Sequence, residues 1–278
     1  MIVISGEPFH PPAGWVLDEV EQKILEYLQQ DAVSHSYNSY EELQFDLRYR
    51  RHAIEAAEAL QKSGASFEIF ADTYADPNYW NVTSAGGLRL RYGTSPAEAL
   101  QDIYRNGSAY GFECATAMII VFYYAALQTI GQTAFNRLFP NLYLYSWHMD
   151  TDLGLQSIQT DFYIPGDVVY FNNPDFHSDS PQWQGENAVV LMNDLFFGHG
   201  IGITTANEMI RVLNELRQPG SDQSAYITNV VTRADTRRLY RRSQTTVRNN
   251  SWIQKPSVIV IQHNETSISY KRYQDYLY

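Results

Sequence analysis

The chain is predicted to be an α+β protein, with helices packed on a central antiparallel sheet. Three observations predict it. Helical hydrophobic spacing fills the first half of the sequence, short apolar strand-like runs gather after residue 160, and the two patterns do not alternate as a parallel sheet requires. With 278 residues, 44% of them hydrophobic and 14% aromatic, the chain can bury a substantial core.

Each element carries its own start and stop signals. After Pro11-Pro12-Ala13-Gly14, the residues Val16, Leu17, Val20, Ile24, Leu25 and Leu28 recur at helical spacing. Ser39-Tyr40-Glu41-Glu42 reads as a capping box opening a second helix, with Leu43, Leu47, Ile54 and Leu60 on its apolar stripe and Gly64 at its end. Ser95-Pro96-Ala97-Glu98 opens a third, with proline at the favoured first position. Residues 115–127 are nearly all apolar and predict a helix through the core, beginning at Cys114. Thr205-Ala206-Asn207-Glu208 opens the last helix, which stops before Pro219-Gly220. Strands are predicted at 167–171, 187–192, 200–203, 226–231 and 257–262. No composition break or internal repeat divides the chain, so it reads as one domain over 1–248 with a C-terminal extension, 249–278, packed on it.

Charge and composition narrow the function. The net charge of -11 conceals an asymmetry, because residues 1–232 carry -17 and residues 233–278 carry +6. The basic cluster Arg233, Arg237, Arg238, Arg241, Arg242 and Arg248 reads as a segment lying against the acidic body or docking acidic proteins. It does not read as a nucleic-acid surface, since the whole protein repels phosphate. The longest apolar run is about 13 residues, short of the roughly 18 that a membrane span needs. The N-terminus shows no basic segment before an apolar one, so no secretory signal is expected and the chain reads as intracellular. One cysteine forbids an internal disulfide, and with scattered histidines it offers no zinc-ligand spacing, so neither metal nor cofactor is expected.

That cysteine, Cys114, lies in Gly111-Phe112-Glu113-Cys114-Ala115-Thr116-Ala117-Met118, where a turn feeds the buried helix. The unpaired first-turn amides and the helix dipole favour a thiolate there, so its pKa is expected to fall. Three downstream segments carry further chemistry: Ile164-Pro165-Gly166-Asp167, Trp183-Gln184-Gly185-Glu186-Asn187, and Phe196-Phe197-Gly198-His199-Gly200. Glu186 and His199 are 13 residues apart, a natural separation for adjacent strands joined by a short turn. Cysteine, histidine and carboxylate together are the recurrent device for activating a thiol. The other six histidines lack glycine-flanked settings.

The runs 111–123, 183–187 and 198–203 closely resemble those of the spore-associated protein-glutamine gamma-glutamyltransferases of Bacillus, a likeness covering most of the chain to about Arg248. The resemblance implies a compact papain-like cysteine-hydrolase fold close to that of NlpC-type peptidases, calcium independence, no pro-segment, and deposition on the spore coat. By it the nucleophile falls on Cys114, its carboxylate partner on Glu186 and the associated histidine on His199. Glu113 matches a glutamate with a supporting role, and Trp147 and Trp183 match aromatics lining a narrow passage. The substrates implied are proteins supplying glutamine and lysine side chains, with spore coat proteins foremost, and neither nucleic acid nor membrane is a partner.

The residues agree with that chemistry. A carboxamide is a poor electrophile, so attack needs a thiolate, donors for the oxyanion and an acid for departing ammonia. The backbone N–H of Cys114 is the expected oxyanion donor, with the second unassigned. Trp147, Trp183, Phe196 and Phe197 are candidate walls of a water-poor site, although Phe196 fits ordinary core packing better. Glu186 is expected to reach Cys114 by hydrogen bond, with His199 behind it holding the carboxylate. The alternative is a peptidase or amidase on the same fold, in which histidine usually follows the cysteine first; here Glu186 precedes His199, which favours the transferase. A coat component with a vestigial site is disfavoured because all three residues are present.

Overall fold

The computed structural model describes residues 1–245. The predicted strand at 257–262, Arg248 and the extension 249–278 lie outside the described residues.

Among the described residues there are six α-helices, α1 (Glu19–Gln30), α2 (Tyr40–Ser63), α3 (Pro96–Arg105), α4 (Cys114–Leu138), α5 (Ala206–Glu215) and α6 (Thr236–Gln244). Helix α1 begins later than its hydrophobic spacing suggested. Asp18 caps it, accepting from Glu21 N–H at 2.8 Å while Glu21 reaches back, and this leaves Val16 exposed. On α2 only half of the predicted box forms. Ser39 accepts from Glu42 N–H at 3.3 Å, but the Glu42 carboxylate turns to the Asn38 backbone N–H at 2.7 Å. Gly64 ends α2 at φ 83°, a conformation glycine adopts without strain.

Among the described residues the central sheet has six antiparallel strands, in the spatial order Gly202–Thr205, Leu195–Gly198, Gly185–Val190, Val168–Asn172, Tyr226–Ala234, Leu155–Gln159. Alternation along the strands splits the apolar residues between two cores. Val168, Val189 and Phe197 join the large core built on α2 and α4, and Val169, Phe171, Ala188 and Val190 join a smaller one with Met209 and Leu213 of α5. The strand predicted from 187 begins two residues earlier, at Gly185, the one predicted from 200 begins two residues later, at Gly202, and the strands at 155–159 and 195–198 were not anticipated. Of these two unanticipated strands the first is mostly polar and the second is short, so neither shows a clear period. Asn193 and Asp194, with φ of 58° and 57°, make the tight turn between Gly185–Val190 and Leu195–Gly198.

Helix α4 lies at the centre, with Ala117 to Phe122 fully buried, and it kinks at Gly131, where φ is 76°. It is long and apolar enough to cross a membrane, yet 72% of its most apolar stretch is buried inside the protein, as in a core helix. Burying each such aliphatic side chain contributes about 1.5–3 kcal/mol. Three small sheets in the helical half use strands of two or three residues, too short to leave a period in sequence.

Asp167, fully buried, ties the layers together. It accepts from Arg50 of α2 at 2.9 Å and from Arg233 Nη2 at 2.6 Å, and it receives the Ile164 backbone N–H at 3.0 Å. The described part of the basic cluster lies against the acidic body as expected: Arg242 and Arg238 pair with Asp152 at 2.9 and 3.6 Å, and Arg233 pairs with Asp167 at 2.6 Å.

Candidate active site

The nucleophile's position is set by a two-residue strand, Gly111–Phe112, which runs parallel to Ser66–Phe67 and delivers the chain to the start of α4. Gly111 has to be glycine, since a Cβ there would collide with Tyr74, Glu68 and Ser66. Glu113 is the helix cap and Cys114 the first helical residue, buried at 3% exposure.

Glu113 closes on its own neighbour. One carboxyl oxygen accepts from Cys114 Sγ at 2.8 Å and the other from the Ala115 backbone N–H at 2.8 Å. Burial pushes the Glu113 carboxyl up to about 6, against the pull of the thiol and of the N–H groups of Ala115, Thr116 and Cys114. The helix N-terminus therefore stabilises a carboxylate rather than a thiolate, which corrects the expected fall in the cysteine pKa. The thiol is instead pushed well up, first by burial and then by the nearby charges of Glu113 and Glu186, while a backbone hydrogen bond from Asn187 works the other way. The first-turn amide that the Glu113 carboxyl holds is that of Ala115, at 2.8 Å.

Glu186 sits on Gly185–Val190, 1% exposed, and burial pushes its carboxyl up to about 8. Its Oε1 accepts from the Gly200 backbone N–H at 3.0 Å, and its Oε2 has no hydrogen-bond partner among the described residues. Glu186 thus lies within electrostatic range of Cys114 but not within hydrogen-bond reach, contrary to the sequence expectation; Glu113 occupies that place. Gly198 and Gly200 do permit a close approach, but by this side chain: a Cβ on Gly198 would lie 2.7 Å from Glu186, and one on Gly200 3.1 Å from the Trp183 ring.

His199 follows the strand Leu195–Gly198 and is half-buried. Its Nε2 donates to the Ser66 carbonyl at 3.0 Å and its ring stacks on Phe112, centroids 4.8 Å apart. Burial lowers its pKa to about 4, so it is neutral near pH 7. The ring does not hold the Glu186 carboxylate, as had been expected; the backbone of residues 199–200 does. The imidazole instead clamps the two short strands that present Cys114.

Trp183 is half-buried, 5.3 Å from Phe67, beside Gly200. Trp147 is buried in the turn after Ser146, whose φ is 46° and whose N–H donates to Thr116 Oγ1 at 2.9 Å, fixing that turn to the first turn of α4. Phe196 and Phe197 pack in the two cores.

One residue was passed over in the sequence. Asn187 is 1% exposed, and its Nδ2 donates to Cys114 Sγ at 3.4 Å. Alternation carried the signal: next to Glu186, Asn187 shares a strand face with Val189, which joins the α4 core, so a polar residue there needs a partner in it. Among the described residues no group of three or more His, Cys, Asp or Glu side chains is arranged to hold a metal ion.

A family model described as protein-glutamine gamma-glutamyltransferase matches residues 1–243. A protein of that name from Halalkalibacterium halodurans is 46% identical over 277 residues, spanning 100% of this chain and 97% of the relative. Its counterpart from Bacillus subtilis is 39% identical over 87% of this chain and 99% of its own length. The solved structure of a transglutaminase from Geobacillus stearothermophilus, without its C-terminal extension, superposes with a TM-score of 0.70 at 42% identity, covering 74% of this chain and 97% of that one.

Proposed function

The chain belongs to the protein-glutamine gamma-glutamyltransferase family of cross-linking acyltransferases, and on that premise we propose that Cys114 carries the acyl group as a thioester between a glutamine donor and a lysine acceptor. The observation behind this reading is the thiol donating to the Glu113 carboxyl at 2.8 Å, with a second buried carboxyl, Glu186, in electrostatic range.

With pKa values of about 6 and about 8, Glu113 is mostly ionised and Glu186 mostly protonated near pH 7. Glu113 takes the thiol proton as the sulfur attacks the glutamine carbonyl carbon. The carbon–nitrogen bond then breaks and ammonia leaves with a proton from Glu186. Lysine arrives as an ammonium, returns a proton to Glu186 and attacks the thioester as the amine. The sulfur leaves and recovers its proton from Glu113, and the second proton lost by the lysine nitrogen as it becomes an amide is released to solvent, where the ammonia freed earlier takes it up as ammonium. Burial of the site disfavours water as the competing acceptor. His199 positions the nucleophile, and Trp147 and Trp183 bound the approach to it. The fold is of the papain-like type, with Cys114 at the start of a core helix, and the catalytic domain spans 1–248.

The substrates are proteins, and the family resemblance makes spore coat proteins and deposition on the coat the expected setting; labelling the enzyme on sectioned spores tests it. The reaction proceeds without calcium, so a chelator leaves the rate unchanged and a calcium requirement refutes this. Incubation with a glutamine peptide and a labelled primary amine decides the chemistry. Ammonia with label incorporation supports the transferase, ammonia alone makes the protein a hydrolase, and neither leaves it a scaffold.

A further inference from the structure

We propose that Asn187 is a catalytic residue whose side-chain N–H stabilises the Cys114 thiolate before attack and the substrate oxyanion during it. The inference rests on Cys114 being the nucleophile and supplies the donor that the mechanism above still lacks.

At the start of α4, where unpaired amides would ordinarily serve a developing negative charge, the Ala115 N–H is engaged by the Glu113 carboxyl at 2.8 Å. On the sulfur itself Asn187 is the donor residue, through its side-chain Nδ2 at 3.4 Å beside its backbone N–H. The carbonyl oxygen of a bound acyl group is two bonds from that sulfur, so a donor set against the thiol is also set against the oxyanion. Its position is rigid, since Asn187 pairs with Tyr170 in the middle of the sheet and is 1% exposed. A donor fixed in advance costs no reorganisation when charge develops, which makes such groups effective. The chemistry of the side chain also suits the place. Two carboxyls already share the site, and a carboxamide adds donors without a cation that would clamp them as ions.

The test compares Asn187→Ala, Asn187→Asp and Cys114→Ala in the amine-incorporation assay, with thermal melts to establish folding. It also follows the pH dependence of Cys114 alkylation by iodoacetamide, which a purely structural role would leave in place. The folded Asn187→Ala variant is expected to lose kcat by about 10²–10³-fold, the range for one oxyanion donor. Its alkylation midpoint should move to higher pH, because the thiolate has lost a donor. Asn187→Asp, nearly the same size but an acceptor, should lose at least as much and move the midpoint further. The proposal is overturned if folded Asn187→Ala stays within about threefold of wild type, the range a silent packing change allows, or if activity falls with the midpoint unmoved. Should Asn187→Ala not fold, the aspartate variant decides, and wild-type-like activity there rejects the role. Amine incorporation by Cys114→Ala would instead reject the nucleophile itself, a separate failure.

Discussion

Two clusters of buried carboxylates stand on neighbouring strands of the central sheet and behave in opposite ways. Asp167 enters Val168–Asn172, with Arg50 and Arg233 on its oxygens at 2.6–3.1 Å. Glu186 lies on the adjacent strand, in electrostatic range of Cys114 and Glu113, and among the described residues no cation is bonded to either glutamate. Burial alone would raise Asp167, but the charges of Arg50 and then Arg233 hold it below the usual aspartate range. Burial raises Glu113 to about 6 and Glu186 to about 8, with nothing cationic to oppose it. Burial is common to both clusters, so the counter-ion separates them: a paired carboxylate anchors the fold, and an unpaired one titrates near neutrality, where proton transfer is useful.

The strongest way to break this contrast is to remove what the reactive cluster serves. Cys114→Ala should abolish amine incorporation while a thermal melt stays near wild type, because the change removes little volume and no backbone bond; activity above a tenth of wild type sinks the assignment. Next come the carboxyls themselves. Glu113→Gln and Glu186→Gln should each lower kcat/KM by about 10²-fold, the scale of general acid–base catalysis. His199→Ala should cost less, about tenfold, since it acts through strand placement. A double Glu113→Gln, Glu186→Gln variant should fall short of or exceed the product of the singles, and strict additivity in the kinetic cycle would mean that the two carboxyls act independently.

The anchor breaks differently. Asp167→Ala should cost about 3–5 kcal/mol in denaturant melts by leaving Arg50 and Arg233 buried without their partner. An unchanged melt would show that the guanidinium groups find other acceptors.

The smallest effect is on pH, and its sign differs between the clusters. Asp167 has a lowered native pKa, so its contribution is present above the unfolded value, about 3.9, and is lost as pH falls through the native one. Glu113 and Glu186 have raised native pKa values, so their contribution is full below about 4.3 and is lost as pH rises through about 6 and about 8. Glu186→Gln should therefore raise Tm at pH 9, on the order of 5 °C, and change it little at pH 5. Equal melts at pH 9 would place Glu186 in contact with solvent.

Much of this was legible in the chain, for reasons that can be named. Capping residues marked α3 and α5 closely because Ser95, Pro96 and Thr205 act within one turn of their own backbone. The nucleophile was visible because cysteine occurs once and precedes an apolar run. The site's internal order was not, since it depends on which of two glutamates reaches the sulfur. That choice belongs to the cap conformation at Glu113, which the dipeptide Glu113-Cys114 does not announce. His199 was read as a partner of Glu186 from its flanking glycines, whereas those glycines make room for the carboxyl and for Trp183. Asn187 went unassigned because its role appears only once the strand has chosen which face meets α4.

The burial of α4 governs how the activity is lost. Hydrogen exchange in a helix whose side chains from Ala115 to Phe122 are no more than 1% exposed requires disruption of the surrounding core. Its amides should exchange at the rate of global unfolding, and Cys114, at its first residue, is not carried on a lid that melts early. Heat inactivation and loss of the fold should then share one transition, so that partially active, partially folded intermediates do not accumulate.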